Sequence, residues 1–343
     1  MRHEPLGVAV VGLGRWSYTI AAAIQSSPLM RLVTCYTRTP AKREAFSQKF
    51  GCGREESYES VLRNPGVEAV VLVTPNNAHA EQTIQAAAHG KHVRVDKPIA
   101  TTIADARAMM RACDKAGVAL SVAAPYRFTR GMRLFRKMVA EGALGRLAMA
   151  EANYSNDRGY YYTPQDWQWY SSGSPGGPLI QVAVHQLDSL YYLFGPVRRA
   201  SAKFSKVMTK SEIPDVCVLW LEFESGLLGT LGTSFVSPTA KKGRFTLFLN
   251  AYGSEANLYH DRWDGLFILR READDKERVP LEEYPGQGHI QANLEDFARA
   301  VREGRPPEVG GPEGLHILAV IQAAMRSAET GRPVEVKEVL TEE

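Results

Sequence analysis

Leu6-Gly7-Val8-Ala9-Val10-Val11-Gly12-Leu13-Gly14-Arg15-Trp16-Ser17 is the stretch that decides the fold. Its first six residues carry no charge and read as a strand buried on both faces. Gly12 permits a tight turn and Gly14 lets backbone approach a pyrophosphate, with Leu13, Arg15 and Trp16 completing the turn. A helix beginning near Ser17 would then present its N-terminus to the diphosphate charge. Ser17 stands where the G-x-G-x-x-G pattern has its last glycine, a small loss of helix–strand fit. Two glycines alone say little. Their place between a strand and a helix, with a second strand following at the right distance, predicts a dinucleotide-binding turn.

Outward from that turn, the first third of the chain alternates apolar runs with amphipathic stretches. Strands are predicted at 6–11, 32–36, 69–73, 92–95 and 118–123. Thr39 and Pro40 start a helix with Ala45, Phe46 and Phe50 on one side, and Gly51 stops it. Helices over 79–89 and 102–116 end at Gly90 and Gly117, where a left-handed residue costs little. Such alternation implies a parallel sheet with right-handed crossovers.

After Tyr126 the pattern changes. A helix over 129–141 leads to a strand at 147–154, an aromatic loop and a helix at about 177–193. Strand candidates follow at 200–207, 216–223, 227–235, 245–249 and 266–269. The turns Glu224-Ser225-Gly226 and Tyr252-Gly253-Ser254 suggest hairpins. Helices around 292–301 and 315–328 close the chain. The expected division is a dinucleotide-binding domain over 1–124 and an α+β domain over 125–343.

Bulk properties exclude several classes. At 343 residues the chain is long enough for two domains. Its net charge of +3 is the difference between 41 basic and 38 acidic residues, spread along the chain. That gives no footprint for nucleic acid or an anionic membrane. Four scattered cysteines form no disulfide framework or zinc spacing and fit a cytoplasmic protein. No apolar run approaches the roughly 20 residues of a membrane span. The run from Leu6 to Leu13 has only Arg2 and His3 as basic neighbours and no small-residue cleavage site, so it reads as a strand and not as a signal peptide. His79, His89 and His92 have no carboxylate or thiol at ligand spacing, so no metal is expected.

The second strand ends at Tyr36-Thr37-Arg38, where a carboxylate would bind the ribose hydroxyls of NAD. A hydroxyl and a guanidinium suit a 2′-phosphate instead. NADP(H) is therefore favoured, with Arg38 as clamp, Arg43 or Lys42 as helpers, and NAD(H) as the alternative. The competing reading is an Arg38 that only faces solvent.

Four further motifs resemble the glucose–fructose oxidoreductase and inositol dehydrogenase family (Gfo/Idh/MocA) over nearly the whole chain. Thr74-Pro75-Asn76-Asn77-Ala78-His79 resembles its T-P-N-x-x-H turn. Asp96-Lys97-Pro98 resembles its E-K-P signature, with aspartate for glutamate. Gly176-Gly177-Pro178-Leu179, followed by His185 and Asp188, resembles its G-G-x-L…H-x-x-D helix, and the tail from Arg326-Ser327 to Gly331-Arg332-Pro333-Val334 resembles its ending. The resemblance implies a second domain built on a large, mostly antiparallel open sheet, and self-association as a homodimer or homotetramer.

It also implies that Thr74, Pro75, Asn76, His79, Asp96 and Lys97 join the cofactor site. Lys97 would stabilise an alkoxide beside the nicotinamide. His185, with an ordinary pKa of about 6.5, would be the acid/base. Many family members carry an aspartate four residues before that histidine, one helical turn away; here it is Gln181, which orients without supplying charge. Asp166 or Asp188 are alternative sources of that charge. Tyr126 and Arg127, which directly follow the last predicted strand of the first domain, together with Tyr154, Asp166, Trp167, Gln181 and His185, are expected to line the substrate pocket. Aromatic faces with interleaved polar groups suit a sugar, cyclitol or other cyclic alcohol. The aromatic loop equally suits packing at a domain boundary or a subunit contact. The predicted activity is NAD(P)-dependent hydride transfer. The alternatives are NAD-assisted glycoside cleavage or epimerisation, and a dinucleotide-binding sensor without turnover.

Overall fold

A computed structural model describes residues 4–241, 243–281 and 288–341, in two compact units. The first contains the described residues up to Phe128 and those from Gly288 to Leu318. Its strands are β1 (Leu6–Val11), β2 (Met30–Tyr36), β3 (Gly53–Arg54), β4 (Ala69–Leu72), β5 (His92–Val95) and β6 (Leu120–Val122). They form one sheet in the order β3-β2-β1-β4-β5-β6 with every pair parallel. Consecutive strands run outward from β1 one way and from β4 the other, so the order reverses between them. Ligands of such sheets bind at the carboxyl ends of the strands beside that reversal.

Helices α1 (Arg15–Gln25), α2 (Pro40–Phe50), α3 (Tyr58–Arg63), α4 (His79–Ala88) and α5 (Ile103–Ala116) are the crossovers. Their ends obey local chemistry. Thr102 caps α5 by accepting from the Asp105 amide at 3.0 Å, and Gly117 ends it at φ 66°. Thr39, Pro40 and Gly51 bound α2 as predicted, but Arg43, Phe46 and Phe50 face inward and Ala45 is exposed. The helix turns about 100° per residue, which puts 43, 46 and 50 on one side.

The Leu6, Val8, Val10, Ala69 and Val71 side of the sheet packs with Ile20, Ala21 and Ile24 of α1, Phe46 and Phe50 of α2, and Leu294, Phe297 and Ala298. The last three belong to α8 (His289–Glu303), far along the chain from a boundary drawn after Ala124. Its buried polar side chains are matched inside this unit. Ser27 donates to Glu295 at 2.9 Å, Gln291 to the Ser26 carbonyl at 3.2 Å and Arg94 to Asn293 at 2.6 Å.

The chain passes to the second unit within α9 (Gly311–Thr330). That unit holds α6 (Arg130–Ala140), α7 (Val184–Phe194), α10 (Val336–Thr341) and a nine-stranded sheet in the order β14-β13-β12-β11-β7-β10-β9-β8-β15. The strands are β7 (Leu147–Ser155), β8 (Val197–Ser205), β9 (Val216–Phe223), β10 (Leu228–Ser234), β11 (Thr246–Gly253), β12 (Ala256–Asp261), β13 (Gly265–Arg270), β14 (Glu277–Arg278) and β15 (Val334–Glu335). Pairing is antiparallel throughout except between β7 and β10. Both predicted hairpins form, β9 to β10 and β11 to β12, although β12 is absent from the sequence expectation. It alternates Ala256 and Leu258 inward with Asn257 and Tyr259, too polar a run to stand out.

One face of this sheet buries Ala150, Ala152, Leu219, Leu221, Leu231, Leu249 and Leu258. On the other, Met149 (40% exposed), Val218 (55%), Trp220 (37%) and Leu228 (43%) stand uncovered among polar neighbours such as Glu151, Glu222 and Thr230. No helix among the described residues is long and apolar enough to cross a membrane.

Candidate functional site

In the first unit, the turn after β1 has the geometry its glycines require. Gly12 has φ +90°, and a Cβ there would come within 2.6 Å of the Val73 carbonyl oxygen. Only glycine fits so close to the turn after β4. Gly14 is the N-cap of α1, and a Cβ on it would meet nothing within 4 Å. No side chain caps α1 and no acidic residue occupies its first turn. The start of α1 is thus left without a side-chain cap or an acidic neighbour, which fits a diphosphate. Helix α1 starts at Arg15, two residues before Ser17. Ser17 is buried, and its hydroxyl donates to the Gly14 carbonyl at 2.6 Å, so the missing third glycine is absorbed inside the turn. Trp16 is exposed beside it.

At the end of β2, Arg38 is exposed and makes no hydrogen bond or ion pair among the described residues. Arg43 is turned inward instead. It donates to the Thr37 carbonyl at 2.9 Å and pairs with Glu56, bracing the strand end and leaving Arg38 and Lys42 as the cations open to a ligand.

After β4, the Thr74 hydroxyl donates to Gln82 at 2.7 Å, while Pro75 is exposed and Asn76 half-buried. After β5, Asp96 accepts from the Lys97 amide at 2.9 Å, and the Lys97–Pro98 peptide is cis. Lys97 is half-buried. Thus the glycine turn, the Thr74 turn and Lys97 follow three neighbouring strands, β1, β4 and β5, at their carboxyl ends.

Of the residues of this unit expected to touch ligands, Leu13, His79 and Arg127 are buried. His79 has its ring nitrogens at 3.0 Å and 3.1 Å from the Pro98 and Thr74 carbonyl oxygens. Burial pushes its pKa down, against the opposing pull of Asp96. Arg127 is buried, with Nη1 3.5 Å from the Glu308 carbonyl. His79 and Arg127 brace the unit from within. Tyr126 is half-buried and stacks on His289, ring centroids 5.5 Å apart.

In the second unit, Gly176 and Gly177 adopt positive φ, and a Cβ on Gly177 would come within 2.2 Å of the Pro214 carbonyl. They lead into a π-helical turn over Leu179–Ala183, and α7 continues from Val184. The sequence predicts one uniform helix here. Wide turns of this kind are common where a helix carries functional side chains. Between Gly177 and Leu190 every residue is buried except Gln181 and His185, which are half-buried.

His185 lies beside Tyr154, ring centroids 6.2 Å apart. Tyr154 stacks on Phe245 at 5.1 Å, and Phe245 meets Trp263 edge-on at 5.2 Å. Tyr154 itself is buried, so its ring supports the histidine. Phe245, just before β11, and Trp263, in the turn between β12 and β13, join this ladder without having been expected. Gln186 fastens α7 to the sheet, donating to the Phe248 and Asn153 carbonyls at 2.6 Å and 3.2 Å.

In the aromatic loop, Tyr160, Tyr161, Trp167 and Tyr170 are exposed. The Thr163 amide and hydroxyl donate to one oxygen of Asp166 at 2.9 Å and 2.8 Å and hold its pKa below the usual carboxylate range. Asp166 thus organises its own turn.

Residues 6–124 match an oxidoreductase family with an NAD-binding Rossmann fold, and residues 136–336 match that family's C-terminal alpha/beta domain. A Desulfitobacterium hafniense DCB-2 protein, provisionally named an NADPH-dependent oxidoreductase, has a similar structure. Its TM-score is 0.92 at 33% identity, covering 99% of this chain and 100% of its own. The 1,5-anhydro-D-fructose reductase of Ensifer adhaerens is 28% identical over 316 residues, 89% of this chain and 91% of its own. The scyllo-inositol 2-dehydrogenase (NAD(+)) of Bacillus subtilis strain 168 is 26% identical over 346 residues, 98% and 97% of the two chains. With an NAD-binding Rossmann unit followed by the family's α/β domain, this chain belongs to the Gfo/Idh/MocA oxidoreductases.

Proposed function

We propose that the chain moves hydride between NADP(H) and a cyclic alcohol or ketone rich in hydroxyl groups. When bound, the dinucleotide supplies or takes up the hydride at its nicotinamide ring. Lys97 places its ammonium at the reacting oxygen and stabilises the charge that develops there. His185 takes the hydroxyl proton as an alcohol is oxidised and returns it as a ketone is reduced. In the oxidation direction the C–H bond breaks, its electron pair leaves with the hydride, and the C=O bond forms as the O–H proton passes to the imidazole. Gln181 orients the hydroxyl or the imidazole through its amide.

The observation that carries this reading is the accessibility of Gln181 and His185 in a stretch otherwise buried from Gly177 to Leu190. A segment sealed elsewhere leaves an amide and an imidazole half-exposed, as contact with a ligand would need. Arg38, exposed and unpaired among the described residues, favours the 2′-phosphate of NADP(H). Relatives named for NAD and for NADPH both occur, so cofactor choice rests on that residue. The relatives named above act on 1,5-anhydro-D-fructose and scyllo-inositol, and ring compounds of this kind are the substrates to screen first.

Gln181 brings no negative charge to His185, so we infer that its imidazole is a weaker base than a carboxylate neighbour would make it. Gln181→Asp tests this. A carboxylate there raises the imidazole pKa, so the acidic limb of alcohol oxidation should move up by about one pH unit. An unmoved limb would remove Gln181 from the proton chemistry. A second copy of the chain covers the open face of the nine-stranded sheet, giving a dimer or a tetramer. The four free cysteines suit a reducing compartment, and we place the protein in the cytoplasm.

A further inference from the structure

Three turns bear on the reacting end of the first unit: those after β1, β4 and β5. Gly12 fastens the first to the second, because a Cβ there would lie 2.6 Å from the Val73 carbonyl and 2.8 Å from the Thr74 methyl. One side chain spans the second and third. His79, the first residue of α4, is 0% exposed, and its ring reaches the Thr74 carbonyl on one side and the Pro98 carbonyl on the other. Whichever nitrogen carries the proton, the ring fills the gap between the two carbonyls and fixes their separation. One turn along α4, Gln82 accepts from the Thr74 hydroxyl, and its own carbonyl accepts from the Tyr58 hydroxyl at 2.8 Å. Helix α4 is therefore held in place before it holds anything else. Lys97 directly precedes Pro98, and its amide is tied to Asp96 at 2.9 Å.

We propose that His79 is a positioning residue that sets where the Lys97 side chain stands relative to the Thr74 turn. A buried histidine often only fills a core. Here one ring reaches backbone carbonyls of the turns on either side of it, donating to one as the neutral imidazole that burial favours and packing against the other, and no apolar residue of that size reproduces that donor. The functional weight of the brace rests on the reading that gives Lys97 its oxyanion role.

The test uses the full chain, with and without NADPH, as His79→Phe and His79→Gln. Lysines are acetylated with limiting acetic anhydride, and the Lys97 rate is divided by that of exposed Lys115 in the same sample. Losing the brace loosens the turn, so the Lys97:Lys115 ratio should rise about threefold in His79→Phe. His79→Gln keeps one amide donor, should show a smaller rise and serves if the phenylalanine variant does not fold. For the reaction, kcat should fall while KM changes little, since a lysine displaced by about an ångström costs up to about 100-fold. A core-filling role would lower Tm and leave the ratio unchanged; an unchanged ratio in the folded variants overturns the proposal. Lys97→Ala separates the two claims. Turnover that survives it removes the oxyanion role, whereas the labelling ratio judges the brace independently.

Discussion

At the scale of single residues, burial separates the expected site residues that stay accessible from those spent inside the fold. Gly12, Gly14, Lys97, Gln181 and His185 each stand in a motif whose backbone demands are local, and none of them is buried. His79 stands in a motif too, and Arg127 and Tyr154 were expected from their places after a strand and in the aromatic stretch, yet all three face inward; sequence position records that a side chain matters without recording which way it points. Arg38 and Arg43 show the difference most plainly. Both are cations near the end of β2, but Arg43 is committed to the Thr37 carbonyl and to Glu56. Arg38→Ala should therefore weaken NADPH binding by about 10–100-fold and leave NADH binding almost unchanged, the scale of a lost charge-assisted pair. Fluorescence titration with the two reduced cofactors checks it, and an equal loss for both would return Arg38 to a solvent role.

At the scale of elements, β1, β5 and β9 follow their predicted limits because apolar runs bounded by turns leave few alternatives. The π-helical turn before α7 had no such signal, since it depends on Gly177 fitting against the Pro214 carbonyl from a distant loop. A second long-range device orders that same loop. Asp215 is buried and accepts from the Val207, Met208 and Thr209 amides at 2.8, 2.9 and 2.8 Å. Burial alone would raise its pKa, but these donors outweigh it and the pKa is lowered. Its stabilisation is therefore complete above the unfolded pKa of about 3.9 and is lost as pH falls through the lower folded value. Asp215→Asn should cost about 1–3 kcal/mol at neutral pH. Denaturant titrations should show that gap closing only below the ordinary carboxylate range; a gap that closes between neutral pH and that range would point to a different group.

At the scale of the whole molecule, the family and the order of its two sheets were readable from separated motifs. The return of α8 to the first unit was not. Its buried Gln291, Asn293, Glu295 and Asp296 look like a solvated face in sequence, and only their partners explain their burial. The open sheet face makes a prediction of its own. Trp220→Glu, placing a charge on the surface that a second copy would cover, should shift the protein to monomer in sedimentation at micromolar concentration; an unchanged mass would move the contact elsewhere. The central claim is hydride transfer that uses Lys97 and His185. Its most direct measurement loads the chain with NADPH, adds hydroxyl-rich ring ketones and follows the nicotinamide absorbance through one turnover. We predict loss of that absorbance with wild-type protein, slowed about 100-fold or more in Lys97→Ala and in His185→Ala. Tightly bound NADPH that no ketone oxidises, or wild-type rates in both variants, would contradict it.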